Sequence, residues 1–216
     1  MSNKNLSFSP KSNSNTLSIY AMALCSLFTA LIAVGAFIRI QFPVIPITLQ
    51  TLFVVLAALL LGAKYSSISV GIYLFLGLIG LPVFTKGGGL GYIFQPTFGY
   101  LLGFLVSTLV IGNLSRKINS KQSASAIGLK GKNKIFLYYW GIGIVGIMII
   151  YIIGMIYLYL IMNFYIQKPT VFLSLFTFNF LLTIIGDIFK CFVAALLAVR
   201  LIPILHKSTQ FAKLYL

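Results

Sequence analysis

Asp187 and Lys190 are the residues of this chain with the strongest claim to chemistry. Asp187 is the only acidic residue in a sequence of 216, and it lies in the apolar stretch Ile185-Gly186-Asp187-Ile188-Phe189-Lys190. Three residues apart on a helix, the two groups share a face and can pair. A carboxylate or ammonium left alone in apolar surroundings is costly, so such groups pair, and inside membranes they often mark a substrate or ion path. The plainer alternative is an ion pair that only locks helix packing. As chemistry, Asp187 can accept N–H bonds and Lys190 can donate to carbonyl or carboxylate oxygens.

A second unusual stretch runs over Thr85-Lys86-Gly87-Gly88-Gly89-Leu90-Gly91-Tyr92-Ile93-Phe94-Gln95-Pro96-Thr97-Phe98-Gly99-Tyr100. Its glycines break helix and let backbone approach a ligand closely. The aromatic and amide residues that follow suit a structured lid better than a flexible tether. Gly88, Gly89, Gly91, Tyr92, Gln95 and Tyr100 are therefore candidate binding residues. Gln95 offers donors and an acceptor, and the tyrosines offer flat apolar surface. With Asp187 and Lys190, this inventory fits a small ligand with an amide- or urea-like head and an apolar body.

Other chemistry fits poorly. No G-x-x-x-x-G-K-[ST] occurs, so the chain is not expected to hydrolyse a nucleotide. One carboxylate and a single histidine, His206, make a poor metal site, and no cofactor is implied. No Ser/His/Asp set or carboxylate pair is available for catalysis, although an Asp/Lys dyad acting as acid and base stays open.

These residues must be positioned by membrane helices. The sequence is 60% hydrophobic and 8% charged, with a mean hydropathy of +1.05, whereas soluble domains carry roughly a quarter charged residues. The formal net charge of +15 is not a nucleic-acid footprint. The basic residues fall mostly between apolar segments, where they act as topology signals and contacts for anionic lipid headgroups. Cys25 and Cys191 lie inside apolar segments and read as small packing residues.

Taken in order, residues 1–17 form a polar tail, expected to be disordered. Residues 18–40 form a retained first transmembrane helix, too long for a signal-peptide core. Ala21, Cys25, Thr29 and Ala33 recur every four residues along it, a small-residue face suited to close helix contact. It either packs within the chain or docks another subunit, and Ser26 and Ala30 flank it. Pro43 and Pro46 end this helix. Spans follow at 47–62 and 66–84, joined by a short turn at Ala63-Lys64-Tyr65. A fourth span is expected at 98–114, then a basic loop at 115–134, and a fifth span at 135–164. The apolar region from 170 to 205 would reach ~50 Å as one helix against about 30 Å of hydrocarbon. A split near 184–186 gives a short outer segment and a sixth span at 184–205, with Asp187 in its first turn, favoured there by the helix dipole. Residues 206–216 form a second tail.

The expected fold is thus an all-α integral membrane protein of six transmembrane helices. Apart from Arg39, Lys86, Lys168 and Lys190, its sixteen Lys and Arg residues fall on the side of the termini, which the positive-inside rule makes cytoplasmic. The glycine stretch and the segment before Asp187 then share the outer face and form a pocket there.

The sequence also resembles the BioY family. The glycine-rich stretch ending Gln95-Pro96-Thr97-Phe98-Gly99-Tyr100-Leu101-Leu102-Gly103-Phe104 looks like that family's third loop and fourth helix. Pro46-Ile47-Thr48-Leu49-Gln50-Thr51, Gly80-Leu81-Pro82-Val83-Phe84 and Gly186-Asp187-x-x-Lys190 resemble it too, over roughly residues 20–110 and 177–202. Gln95 and Phe98 stand where the family often has glycine, and Ile185 where it has proline, departures that bear on the fine shape of the pocket. BioY proteins are the biotin-binding S components of energy-coupling factor (ECF) transporters. The resemblance implies an S-component bundle in the cell membrane that holds biotin near its outer face. Asp187 and Lys190 would address the ureido ring, while the loop backbone, Tyr92, Gln95 and Tyr100 would close over it. The stripe Ala21, Cys25, Thr29 and Ala33 would dock a transmembrane coupling subunit driven by two ATPase subunits. Alternatives from the residues themselves are a solitary proton-coupled secondary transporter, an S component for another vitamin, and a membrane-embedded enzyme.

Overall fold

The computed structural model describes residues 14–40, 46–123, 129–167 and 178–206. Its element order is α1 (Ser14–Phe37), β1 (Arg39–Ile40), β2 (Ile47–Thr48), α2 (Gln50–Ile79), a 3₁₀ turn (Leu90–Phe94), α3 (Phe98–Ser123), α4 (Leu129–Leu160) with a π-helical end (Ile161–Tyr165), and α5 (Phe178–His206). Five of these helices are long and apolar enough to cross a membrane. The expected tails at 1–17 and 206–216, the proline break at 43–46 and the short outer segment after 170 lie largely or wholly outside the described residues.

Six spans were expected, and the difference lies in α2. Helical hydrogen bonding continues along it from Gln50 to Ile79, but Gly62 has φ 70° and ψ −179°, a backbone that glycine reaches far more readily than any other residue. Gln50 Nε2 donates to the Tyr73 hydroxyl at 2.7 Å, 23 residues away. In a straight helix those positions would stand roughly 35 Å apart. Helix α2 therefore doubles back at Gly62, one residue before the expected turn, and its halves pack side by side. Both of its ends consequently lie at the same end of the bundle.

Two other boundaries differ from expectation. The stretch 115–134 is not a loop over most of its length, since α3 runs to Ser123 and α4 begins at Leu129. Lys, Arg and Gln are good helix formers, and a helix can continue past the hydrocarbon. The split near 184–186 does not occur either, because α5 starts at Phe178 and passes through Gly186 without a break. A helical glycine costs only about 1 kcal/mol, and the apolar membrane-length part of α5, Thr183–Leu205, has 23 residues, so length does not force an interruption. Asp187 sits about two and a half turns into α5, beyond the reach of the helix dipole.

The small-residue face of α1 packs within the chain. Ala21, Cys25 and Thr29 are buried and Ala33 is half-buried. The Cys25 thiol donates to the Tyr65 carbonyl at 3.5 Å, and the Thr29 hydroxyl donates to the Cys25 and Ser69 carbonyls at 2.8 and 2.9 Å. Small side chains let α1 close on the second half of α2, so this face is taken up by contacts within the chain. Helix α2 is central and touches α1, α3 and α5, while α4 packs on α3 and α5.

Candidate functional site

The site is built where both ends of α2 meet the glycine loop, the start of α3, the end of α4 and the start of α5. An open cavity lies there. Its lining includes the apolar side chains of Leu101, Phe104 and Ile150. It also includes the polar groups of Asp187, Tyr151, Tyr100 and Thr183, and those of Thr85, Tyr92 and Thr97 from the glycine loop and its end.

Asp187 is 5% exposed and Lys190 8%. The Lys190 ammonium donates to Asp187 Oδ1 across one turn of α5 and to the Thr48 carbonyl of β2 at 2.7 Å. The Tyr151 hydroxyl of α4 donates to Asp187 Oδ2 at 2.7 Å. Each carboxylate oxygen thus has one charge-assisted bond and keeps acceptor capacity for a ligand N–H. Asp187 faces the cavity, whereas Lys190 stands behind it and does not line the wall. Lys190, expected as a partner of the ligand, fixes the carboxylate and ties α5 to the β1–β2 hairpin, in which Arg39 pairs with Thr48.

Of the remaining candidates, Tyr92 and Tyr100 line the cavity. Tyr92 is tied at its hydroxyl to Thr85 Oγ1 at 2.8 Å and Thr97 Oγ1 at 3.4 Å. Gly88, Gly89, Gly91 and Gln95 do not line it. The glycines bring the loop onto the end of α2: the Gly89 N–H donates to the Gly77 carbonyl at 2.7 Å, and a Cβ on Gly88 would stand 2.1 Å from the Leu81 carbonyl oxygen. Gly91 is exposed, and Gln95 ends the 3₁₀ turn with its N–H on the Tyr92 carbonyl at 3.0 Å. The close approach that Gly88 and Gly89 permit is therefore between two pieces of backbone. The loop is also fastened to α4, through the Tyr157 hydroxyl on the Ile93 carbonyl and through Phe94 stacked on Tyr165 at 4.6 Å.

Sequence reasoning missed Tyr151 and the threonines of the cavity. A signal for Tyr151 was present: a tyrosine in mid-span needs a partner for its hydroxyl, and the chain holds a single carboxylate.

Fold and site together define a multi-pass helical membrane protein with a polar-headed cavity at one end of its bundle. The profile of the BioY family matches residues 9–207, and the chain belongs to that family. It is 38% identical over 191 residues to a probable biotin transporter BioY of Lysinibacillus sphaericus, covering 88% of this chain and 91% of the relative. It is 39% identical over 176 residues to the biotin transporter BioY of Thermotoga maritima, covering 81% and 91%. Among solved structures it matches the S-component for biotin from an ECF-type ABC transporter, with a TM-score of 0.71 and 29% identity over 88% of this chain and 94% of that one. The bundle is therefore of the S-component type.

Proposed function

We propose that this chain is the substrate-binding S component of an ECF transporter, capturing biotin at the outer face of the cell membrane for ATP-driven uptake. The observation that carries this reading is the single carboxylate of the chain, held by Tyr151 and Lys190 in a cavity that Leu101, Phe104 and Ile150 also line. A ureido ring offers N–H donors to such an acceptor, and the thiophane ring and alkyl chain of biotin suit Leu101, Phe104 and Ile150. The names of the relatives and of the solved structure support the same ligand.

On this reading α2, folded back at Gly62, supplies two crossings, so the bundle crosses six times and both termini are cytoplasmic. Energy comes from a transmembrane coupling subunit and two ATPase subunits. With Ala21, Cys25 and Thr29 turned inward, the docking surface on α1 moves to the exposed neighbours Ser26, Leu27 and Ala30.

The test is biotin binding to the purified chain beside Asp187→Asn. The wild type is expected to bind, and the variant to lose about 10- to 100-fold in affinity, as for a charge-assisted bond. A wild type that binds no biotin sinks the assignment, and a screen of other vitamins then follows. Uptake that persists in cells lacking the ATPase subunits would replace the ATP-driven mechanism with a solitary proton-coupled transporter.

A further inference from the structure

Tyr100 carries a polar atom that the folded chain does not satisfy. The residue is 8% exposed and lines the cavity, yet its hydroxyl has no hydrogen-bond partner. The neighbouring polar groups of the wall are engaged: Tyr151 on Asp187, Tyr92 on Thr85, Gln50 on Tyr73. Among the described residues the other buried side-chain atom in this condition is Trp140 Nε1, which lies nearer the start of α4, against Phe192 at 6.1 Å. Buried hydroxyls are normally paired, and an orphan in a binding cavity calls for a partner that arrives with the ligand.

The ring of Tyr100 has little freedom to find another partner. It lies over Gly154, where a Cβ would come within 2.5 Å of the ring, and it meets the Tyr151 ring edge-on, with centroids 5.8 Å apart and planes at 85°. Tyr151 in turn donates to Asp187 Oδ2, and Tyr100 and Asp187 line the same cavity. The cavity head thus sets an O–H donor beside a carboxylate acceptor.

We propose that the Tyr100 hydroxyl and the Asp187 carboxylate form a donor–acceptor pair that reads one edge of the ligand's planar head, Tyr100 donating to a urea oxygen while Asp187 accepts the adjacent N–H. Tyr100 is then a specificity-determining residue for the cyclic urea. This rests on the reading of the cavity as a biotin site.

The experiment compares wild type and Tyr100→Phe for three probes: biotin, biotin amide (altered tail, intact urea) and diaminobiotin (urea carbonyl removed). Tyr100→Phe should weaken biotin and biotin amide by the same factor, about 10- to 100-fold, and leave diaminobiotin within about twofold. If Tyr100→Phe does not purify as a folded protein, Gly154→Ala, which displaces the ring and keeps the hydroxyl, should give the same selective loss. Unchanged biotin affinity, or an equal loss for all three probes, overturns this inference alone. A wild type that binds no biotin overturns the proposed function and this inference with it.

Discussion

Lys190→Met should destabilise the protein more than the loss of two hydrogen bonds accounts for, and the double variant should recover much of the damage. The ammonium is the partner of Asp187 Oδ1 and of the Thr48 carbonyl, and both side chains of the pair are at most 10% exposed. Removing one member of a buried pair leaves the other as an uncompensated charge, which costs about 3–5 kcal/mol. The Thr48 carbonyl loses a donor as well, about 1–3 kcal/mol if water does not replace it. Tyr151 still donates to Oδ2, which holds the total toward the lower end. At about 2–4 °C per kcal/mol for a chain of this size, the melting temperature should fall on the order of 10 °C. Asp187→Asn combined with Lys190→Met removes both charges, and its loss should be clearly smaller than that of Lys190→Met alone. The assay is thermal unfolding in one detergent of the wild type, both single variants and the double variant, read as a coupling energy. A double variant whose loss equals the sum of the two singles would refute the reasoning, because the pair would then carry no coupling. A Lys190→Met variant as stable as wild type would refute it more directly.

Two further changes test other parts of the structure. Tyr151→Phe removes the hydroxyl on Asp187 Oδ2 and frees the carboxylate to turn; biotin affinity, followed by isothermal titration, should drop about 10-fold or more, and an unchanged affinity would remove Tyr151 from the site. Gly62→Ala meets no atom within 4 Å of the new Cβ, so its cost is backbone strain of about 1–3 kcal/mol. It should lower thermal stability while leaving biotin affinity within about twofold, and a stability equal to wild type would show that the turn does not need glycine.

The parts of the fold that hydropathy controls were legible in the sequence, and those that tertiary contact controls were not. Apolar runs located α1, α3 and α4, because a membrane leaves little choice for a long apolar segment. The doubling back near residue 62 was visible as a short polar interruption, but the residue that turns is Gly62, where backbone permissiveness rather than polarity decides. Asp187 and Lys190 were found because charge is rare here. The cause assigned to the position of Asp187 was wrong: the helix does not start beside it, and Tyr151 and Lys190 hold it instead. Spacing in the glycine loop did not separate its two uses: Gly88 and Gly89 make contact with the end of α2, while Tyr92 and Tyr100 line the cavity. The stripe on α1 fitted two uses equally well by spacing. Only the positions of Tyr65 and Ser69 decide that it packs inside the chain.

The fold-back of α2 also divides the molecule by task. Its two ends, the glycine loop and the Asp187 cluster gather at one pole of the bundle. The Gly62 turn marks the opposite pole, where a Cβ on Gly112 of α3 would come within 2.1 Å of Ala63 and Ser115 reaches the Ala58 carbonyl at 3.4 Å. Roughly three turns of packed helix separate the poles. The cavity can therefore be altered at one pole, and the turn at the other, without the same residue being asked to satisfy both. A reporter group attached near the Gly62 pole would leave the cavity untouched, and it would sense the ligand only through movement of the bundle as a whole.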